Sequence, residues 1–137
     1  MAKSATGIER TSAFALVLLF ATAVIELFVV AMASAGFDEV ADASPFGRSG
    51  TIVVAAVAAG IACVGAILAW RGVSGALRGI TATLVFVAVG IIAVMVLFFV
   101  IAGGTPIILG VLLAHAAVSL GMIGRAVLRS TPTRTGR

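Results

Sequence analysis

Two side chains in this sequence could do chemistry that their surroundings could not. Glu26 sits inside the apolar run FATAVIELFVV (residues 20–30), and His115 sits inside LLAHAAVSL (residues 112–120). An ionised carboxylate near the middle of a bilayer costs about 2.5–3.5 kcal/mol on insertion scales. Either a proton or a partner must neutralise it. His115 is the sole histidine and the natural partner, because an imidazole can donate to a carboxylate and can relay protons. Thr22 lies four residues before Glu26, and Ser119 four after His115, each on the same helical face as its neighbour. Thr22, Glu26, His115 and Ser119 are therefore the candidate intramembrane polar cluster. Three roles are open to it: hydrogen bonding between helices, a proton or cation site, or a docking point for a polar group of another membrane protein. In the second role Glu26 binds and releases the proton and His115 tunes or relays it.

Little else here is suited to chemistry. One His and one Cys cannot assemble a zinc site, and neither a P-loop nor G-x-G-x-x-G occurs. Asp38, Glu39 and Asp42 could hold a divalent cation only weakly, and a solvated acidic loop is the simpler reading. No metal, catalytic residue or cofactor is expected. Cys63 lies in an apolar run as a small packing residue.

The surroundings of the two residues define the class of protein. The chain has 137 residues, 62% of them hydrophobic and only 10% charged. A soluble domain carries about 25% charged residues, so most of this surface must face something other than water. Apolar runs of about 20 residues are long enough to cross a hydrocarbon core of roughly 30 Å. Four spans follow, at about 12–35, 51–70, 79–102 and 106–128. The expected fold is an all-α, four-transmembrane-helix bundle over residues 12–128, with a short segment 1–11 before it and a basic, disordered tail 129–137 after it. Residues 36–50 (GFDEVADASPFGRSG) read as a polar loop, and 71–78 (RGVSGALR) as a link carrying Arg71 and Arg78. In the short turn GGTP, Thr105 can cap the last helix and Pro106 suits its first position.

Charge sets the orientation. Lys3, Arg10, Arg71, Arg78, Arg125, Arg129, Arg134 and Arg137 gather at one end of the spans, and of the nine basic residues only Arg48 falls at the other. By the positive-inside rule both termini are cytoplasmic, and loop 36–50 is external. The net charge of +4 then reflects topology and contact with membrane lipid, and no nucleic acid is expected. Lys3, Arg10 and the motif Ala33-Ser34-Ala35 could instead mark a cleaved signal peptide. The apolar stretch exceeds the usual 7–15 residues and contains Glu26, which favours a retained span. Richness in Ala, Gly, Val and Arg suggests a bacterial chain, and hence the bacterial cytoplasmic membrane.

Helices must then bring Glu26 and His115 together. Glu26 lies about 24 Å of helix rise beyond Arg10, and His115 about 15 Å from Arg125, a backbone offset of roughly 9 Å. Side chains lean towards the N-terminus of their own helix, which in antiparallel helices narrows the gap. Two stripes of small residues mark where helices approach closely: Ala55, Ala59, Ala62, Ala66 and Ala69, and Gly110, Ala114, Ala117, Gly121 and Gly124. Duplication of a two-helix unit or compositional bias would each produce this pair. At 100° per residue, His115 points roughly 140° away from its own helix's stripe. Stripe and histidine are therefore expected to serve different contacts, one internal and the other with a second subunit or a partner. The third span, with Phe86, Phe98 and Phe99 and few small residues, reads as more lipid-exposed. Trp70 falls at a predicted boundary, where indole is favoured.

Two families share local features. Gly72-Val73-Ser74-Gly75 with Ala114-His115 resembles the G-x-S-G and Ala-His elements of rhomboid intramembrane proteases, which imply a Ser–His dyad. Rhomboids need six helices, and here Ser74 sits in a link while His115 is deep in a span, so no enzyme is expected. A four-helix chain with a carboxylate in its first helix resembles in architecture the small multidrug-resistance transporters, where that position, here Glu26, exchanges protons for cationic drugs. Those proteins have sites rich in Trp and Tyr, whereas this chain has one Trp and no Tyr. The leading expectation is a non-enzymatic accessory subunit or homo-oligomer that acts through helix packing. The alternative is a proton-coupled small transporter or channel that uses Glu26.

Orientation is directly testable. In a Cys63→Ser background, Asp42→Cys should react with a membrane-impermeant maleimide in intact cells, and Thr133→Cys only after the membrane is opened. The reverse pattern contradicts the assignment.

Overall fold

Every backbone N–H and C=O in an apolar span must be satisfied within the chain, which leaves the helix as the solution for single segments. The computed structural model describes residues 2–129, with side chains from residue 13 onward. All its long elements are helices: α1 (Ala2–Gly36), α2 (Asp38–Ala43), α3 (Gly47–Arg71), α4 (Gly75–Ala102) and α5 (Thr105–Arg129). Four stretches are long and apolar enough to cross a membrane: Ala13–Gly36 of α1, and α3, α4 and α5. The tail expected over 129–137 lies outside the described residues, apart from Arg129, which ends α5.

The links are tighter than the sequence suggests. Residues 36–50 are not an open loop, because α2 occupies 38–43 and α3 starts at Gly47. The link 71–78 shrinks to 72–74, with α4 running from Gly75. Positive φ at Gly72 and Gly75 (81° and 64°) lets the chain reverse in so few residues. In the last turn Gly103 and Gly104 carry the positive φ, and α5 begins at Thr105. The cap position falls on Gly104 rather than Thr105, and Pro106 is the second helical residue, still within the first turn, where its missing N–H costs nothing.

The four long helices form a ring in which α1 packs on α3 and α5, and α4 packs on α5 and α3. Across the middle α3 also meets α5, whereas among the described residues α1 does not touch α4. Short α2 lies across one end, in contact with all four long helices. α5 is the central element: half of its most apolar 18-residue window is buried, against 22–28% for the other three. The core joins Leu27 and Val30 of α1, Ala58 and Ala62 of α3, Ile92, Met95 and Phe99 of α4, and Leu113, Ala116 and Leu120 of α5.

Small residues set the spacing. A Cβ on Gly124 would sit 3.1 Å from Phe86 Cζ and Val85 Cγ1, and one on Gly110 would sit 3.4 Å from Phe99 Cβ. The α5 stripe therefore packs on α4. It is incomplete as a buried line: Gly110, Ala117 and Gly124 are buried, Gly121 is half-buried and Ala114 is exposed. On α3, Ala55 and Ala62 are buried, and Ala59, Ala66 and Ala69 are half-buried. Of the three phenylalanines of α4, Phe86 and Phe98 are exposed, as the sequence suggests, but Phe99 is fully buried. The small residue Gly110 makes room for Phe99 beside α5.

Two substitutions on α5 separate these roles. Gly124→Leu should lose about 1–3 kcal/mol in reversible micellar unfolding, because the site is filled. Gly121→Ala, with nothing within 4 Å of its Cβ position, should be neutral or gain up to about 1 kcal/mol.

Candidate functional site

α1 and α5 are antiparallel, and counting from the end that carries α2 puts their polar residues level. Glu26 lies ten positions before Gly36, the end of α1, and His115 ten positions after Thr105, the start of α5. Each is therefore about 15 Å from its helix end. The 9 Å offset expected from the sequence came from measuring at the arginine-rich ends, where neither helix stops at its arginine: α1 reaches back to Ala2 and α5 runs on to Arg129.

His115 Nδ1 lies 2.8 Å from Glu26 Oε1. The two partners differ sharply in exposure. The Glu26 side chain is 10% exposed and that of His115 is 60% exposed. Around Glu26 the packing is dense, with Ala23, Leu27 and Val30 buried on α1 and Ala116, Ser119 and Leu120 buried on α5. The carboxylate is thus enclosed within the α1–α5 seam, and the imidazole closes the seam on its outer side. In a low-dielectric setting such a bond is strengthened, and an unpaired carboxylate there would be costly.

The other two members of the candidate cluster behave differently. Thr22 Oγ1 donates to Leu18 O (2.7 Å), one turn back on its own helix, as hydroxyls in apolar helices commonly do. Ser119 is buried beside the pair, but among the described residues no hydrogen bond joins it to Glu26 or His115. Ser74 is exposed in the α3–α4 turn, and His115 is bonded to Glu26, so no Ser74–His115 dyad forms.

A second polar locus, which the sequence reading missed, organises the α2 end. Arg48 pairs with Asp38, and its Nε donates to Ser34 O (3.1 Å), tying α3 to α2 and to the end of α1. The Ser44 and Thr51 hydroxyls bond each other, Thr51 Oγ1 donates to Gly47 O (2.6 Å), and Phe46 N–H donates to Ser44 Oγ (3.3 Å). A Cβ on Gly104 would meet Glu39 Oε1 at 3.1 Å, so this carboxylate lies against the first turn of α5, where the helix dipole favours negative charge. The acidic segment is a corner that braces three helices. Among the described residues no group of three His, Cys, Asp or Glu side chains could hold a metal ion. The only signal in the sequence was the ten-residue spacing of Asp38 and Arg48, opposite charges flanking a short polar stretch.

Two apolar grooves mark the outer surface. One of about 530 Å³ lies between α1 and α3, from Phe20 and Cys63 to Trp70 and Arg71. The other, about 260 Å³, lies between α3 and α4 around Val57 and Val87. Neither is lined by Glu26 or His115. No protein-family model, curated protein or solved structure matches the chain.

A double-mutant cycle of Glu26→Ala and His115→Ala in micellar unfolding should give a coupling of about 0.6 kcal/mol, and at most about 1.7, the range for hydrogen bonds between membrane helices. A coupling of zero would mean that the two side chains do not interact.

Proposed function

We propose that this chain is a small, non-enzymatic, multi-pass membrane protein that works by packing, as a subunit of a larger membrane assembly, with both ends cytoplasmic. The α1–α5 seam at His115 is its docking face. One observation carries this reading: the exposure of His115 at mid-height of an otherwise apolar helix surface, between Val111 and Val118, which are 63% and 62% exposed. Lipid offers an imidazole nothing to bond, whereas a neighbouring helix can. Ionisable groups within spans generally face protein or water-filled cavities, and the second subunit supplies that environment here.

The same pair also suits a proton-coupled transporter or channel, since an ionisable couple at mid-span is what such a protein would use. Packing favours the first reading. The residues flanking Glu26 in the seam are closely packed and apolar, and both grooves described above end elsewhere.

Purification in mild detergent, with mass analysis of whatever co-elutes, tests the proposal. The expected result is a complex larger than the 13.7 kDa chain, and a lone monomer would overturn it. The transporter reading predicts a pH change inside reconstituted vesicles that Glu26→Gln abolishes. The subunit reading predicts no flux from either protein.

A further inference from the structure

We propose that the groove between α1 and α3 seats one anionic phospholipid, with its phosphate on Arg71 and an acyl chain laid inward along Phe20 to Cys63. This inference is independent of the docking face at His115.

The chemistry of the groove runs in one direction. Arg71 closes α3 and is exposed, and Trp70 beside it is 60% exposed. Inward from them the lining is apolar, with Leu16 and Phe20 on the α1 wall and Ala66 and Cys63 on the α3 wall. Both walls belong to one end of the bundle, because the apolar span of α1 begins at Ala13 and α3 stops at Arg71. Among the described side chains no acid competes for Arg71. Glu26 bonds His115 at mid-span, and Asp38, Glu39 and Asp42 lie in or beside α2 at the opposite end. A guanidinium matches the oxygens of a phosphate in bidentate fashion, and an indole is favoured at headgroup level. A cation over an apolar slot therefore selects an amphiphile with an anionic head, and basic pockets beside membrane helices bind such headgroups.

Depth selects among occupants. From Arg71 to Cys63 the groove follows about 12 Å of helix rise, and half of a hydrocarbon core is roughly 15 Å. The groove is thus one leaflet deep. A helix of another protein would pack along the whole span, whereas an acyl chain hanging from a headgroup at Arg71 stays within one leaflet. The volume of about 530 Å³ accommodates it. The α3–α4 groove supplies the contrast. It is about 260 Å³, with no charged residue in its lining, so it has nothing with which to tell one headgroup from another.

Trp70 is the only tryptophan, so its fluorescence reads the site without an added probe. The full chain is placed in phosphatidylcholine vesicles at about 0.15 M salt, where charges beyond about 8 Å are largely screened. A small fraction of the lipid is phosphatidylglycerol brominated high on its acyl chains, and brominated phosphatidylcholine is the reference. Quenching of Trp70 should show phosphatidylglycerol favoured about 5-fold, the effect of one basic residue near a membrane surface. Arg71→Gln should bring that ratio to about 1. Arg129→Gln removes the same charge from the end of α5, outside the groove, and should leave the ratio nearly unchanged. Ala66→Leu narrows the slot but keeps the arginine, and should lower the ratio as well. Equal quenching by the two lipids in the wild type would overturn the proposal. So would an equal loss in Arg71→Gln and Arg129→Gln, which would assign the preference to the general charge of that end. A preference that survives Ala66→Leu would mean that the headgroup is held without the groove, and would overturn the acyl-chain seat.

Discussion

The bundle depends on a carboxyl group that cannot be left alone in an apolar helix. Successive helices are held beside one another by their short links: α1 to α3 through the α2 corner, α3 to α4 through 72–74, and α4 to α5 through Gly103 and Gly104. No link joins α1 to α5, the first helix to the last. The Glu26–His115 bond spans 89 positions of sequence and closes the ring there. Its net contribution to stability is small by the standards of membrane hydrogen bonds. Its contribution to register is larger, because sliding either helix by one turn would leave a buried carboxylate without its partner.

The two sides of α5 are divided between tasks. Gly110 and Gly124 face α4 at close range, so that side serves the interior. His115 lies at the opposite margin, on the seam with α1, and its ring is largely uncovered. A helix whose buried half contacts the three other long helices has no spare inner face for a histidine, so the imidazole reaches only the rim. This makes one residue both the internal partner of Glu26 and the most polar point on the outer surface at mid-span. The α2 corner plays the matching part at the end of the bundle. Arg48, held by Asp38 and the Ser34 carbonyl, has its charge balanced locally.

What could be read from the sequence followed from composition and helical periodicity. Four apolar runs define four helices, and Glu26 and His115 stand out because, apart from the thiol of Cys63 and Arg125 near the end of the last run, nothing else in those runs can ionise. The 140° angle between His115 and the glycine stripe separates their neighbours, and both of those seen lie within the chain: Gly110 and Gly124 face α4, and His115 meets Glu26 of α1. Depth was harder, because Arg10 and Arg125 are poor rulers when helices extend past them. Phe99 looked lipid-facing from its own helix, but its environment is set by Gly110, eleven residues later on another helix, which no local pattern contains. The α2 corner was hidden for the same reason: Ser44, Arg48 and Thr51 are ordinary loop residues until the turn at Phe46 folds them together. Thr22 and Ser119 share faces with the pair, yet a threonine hydroxyl finds its own backbone carbonyl more readily than a distant side chain.

The distance between the only histidine and Glu26 tests the account most directly. Dipolar recoupling between 15N at His115 Nδ1 and 13C at the Glu26 carboxyl can be measured on the full chain in lipid bilayers. Contact through one hydrogen bond predicts a separation of roughly 3.5 Å. Absence of measurable coupling would mean that the carboxyl of the first helix is held by something other than the last.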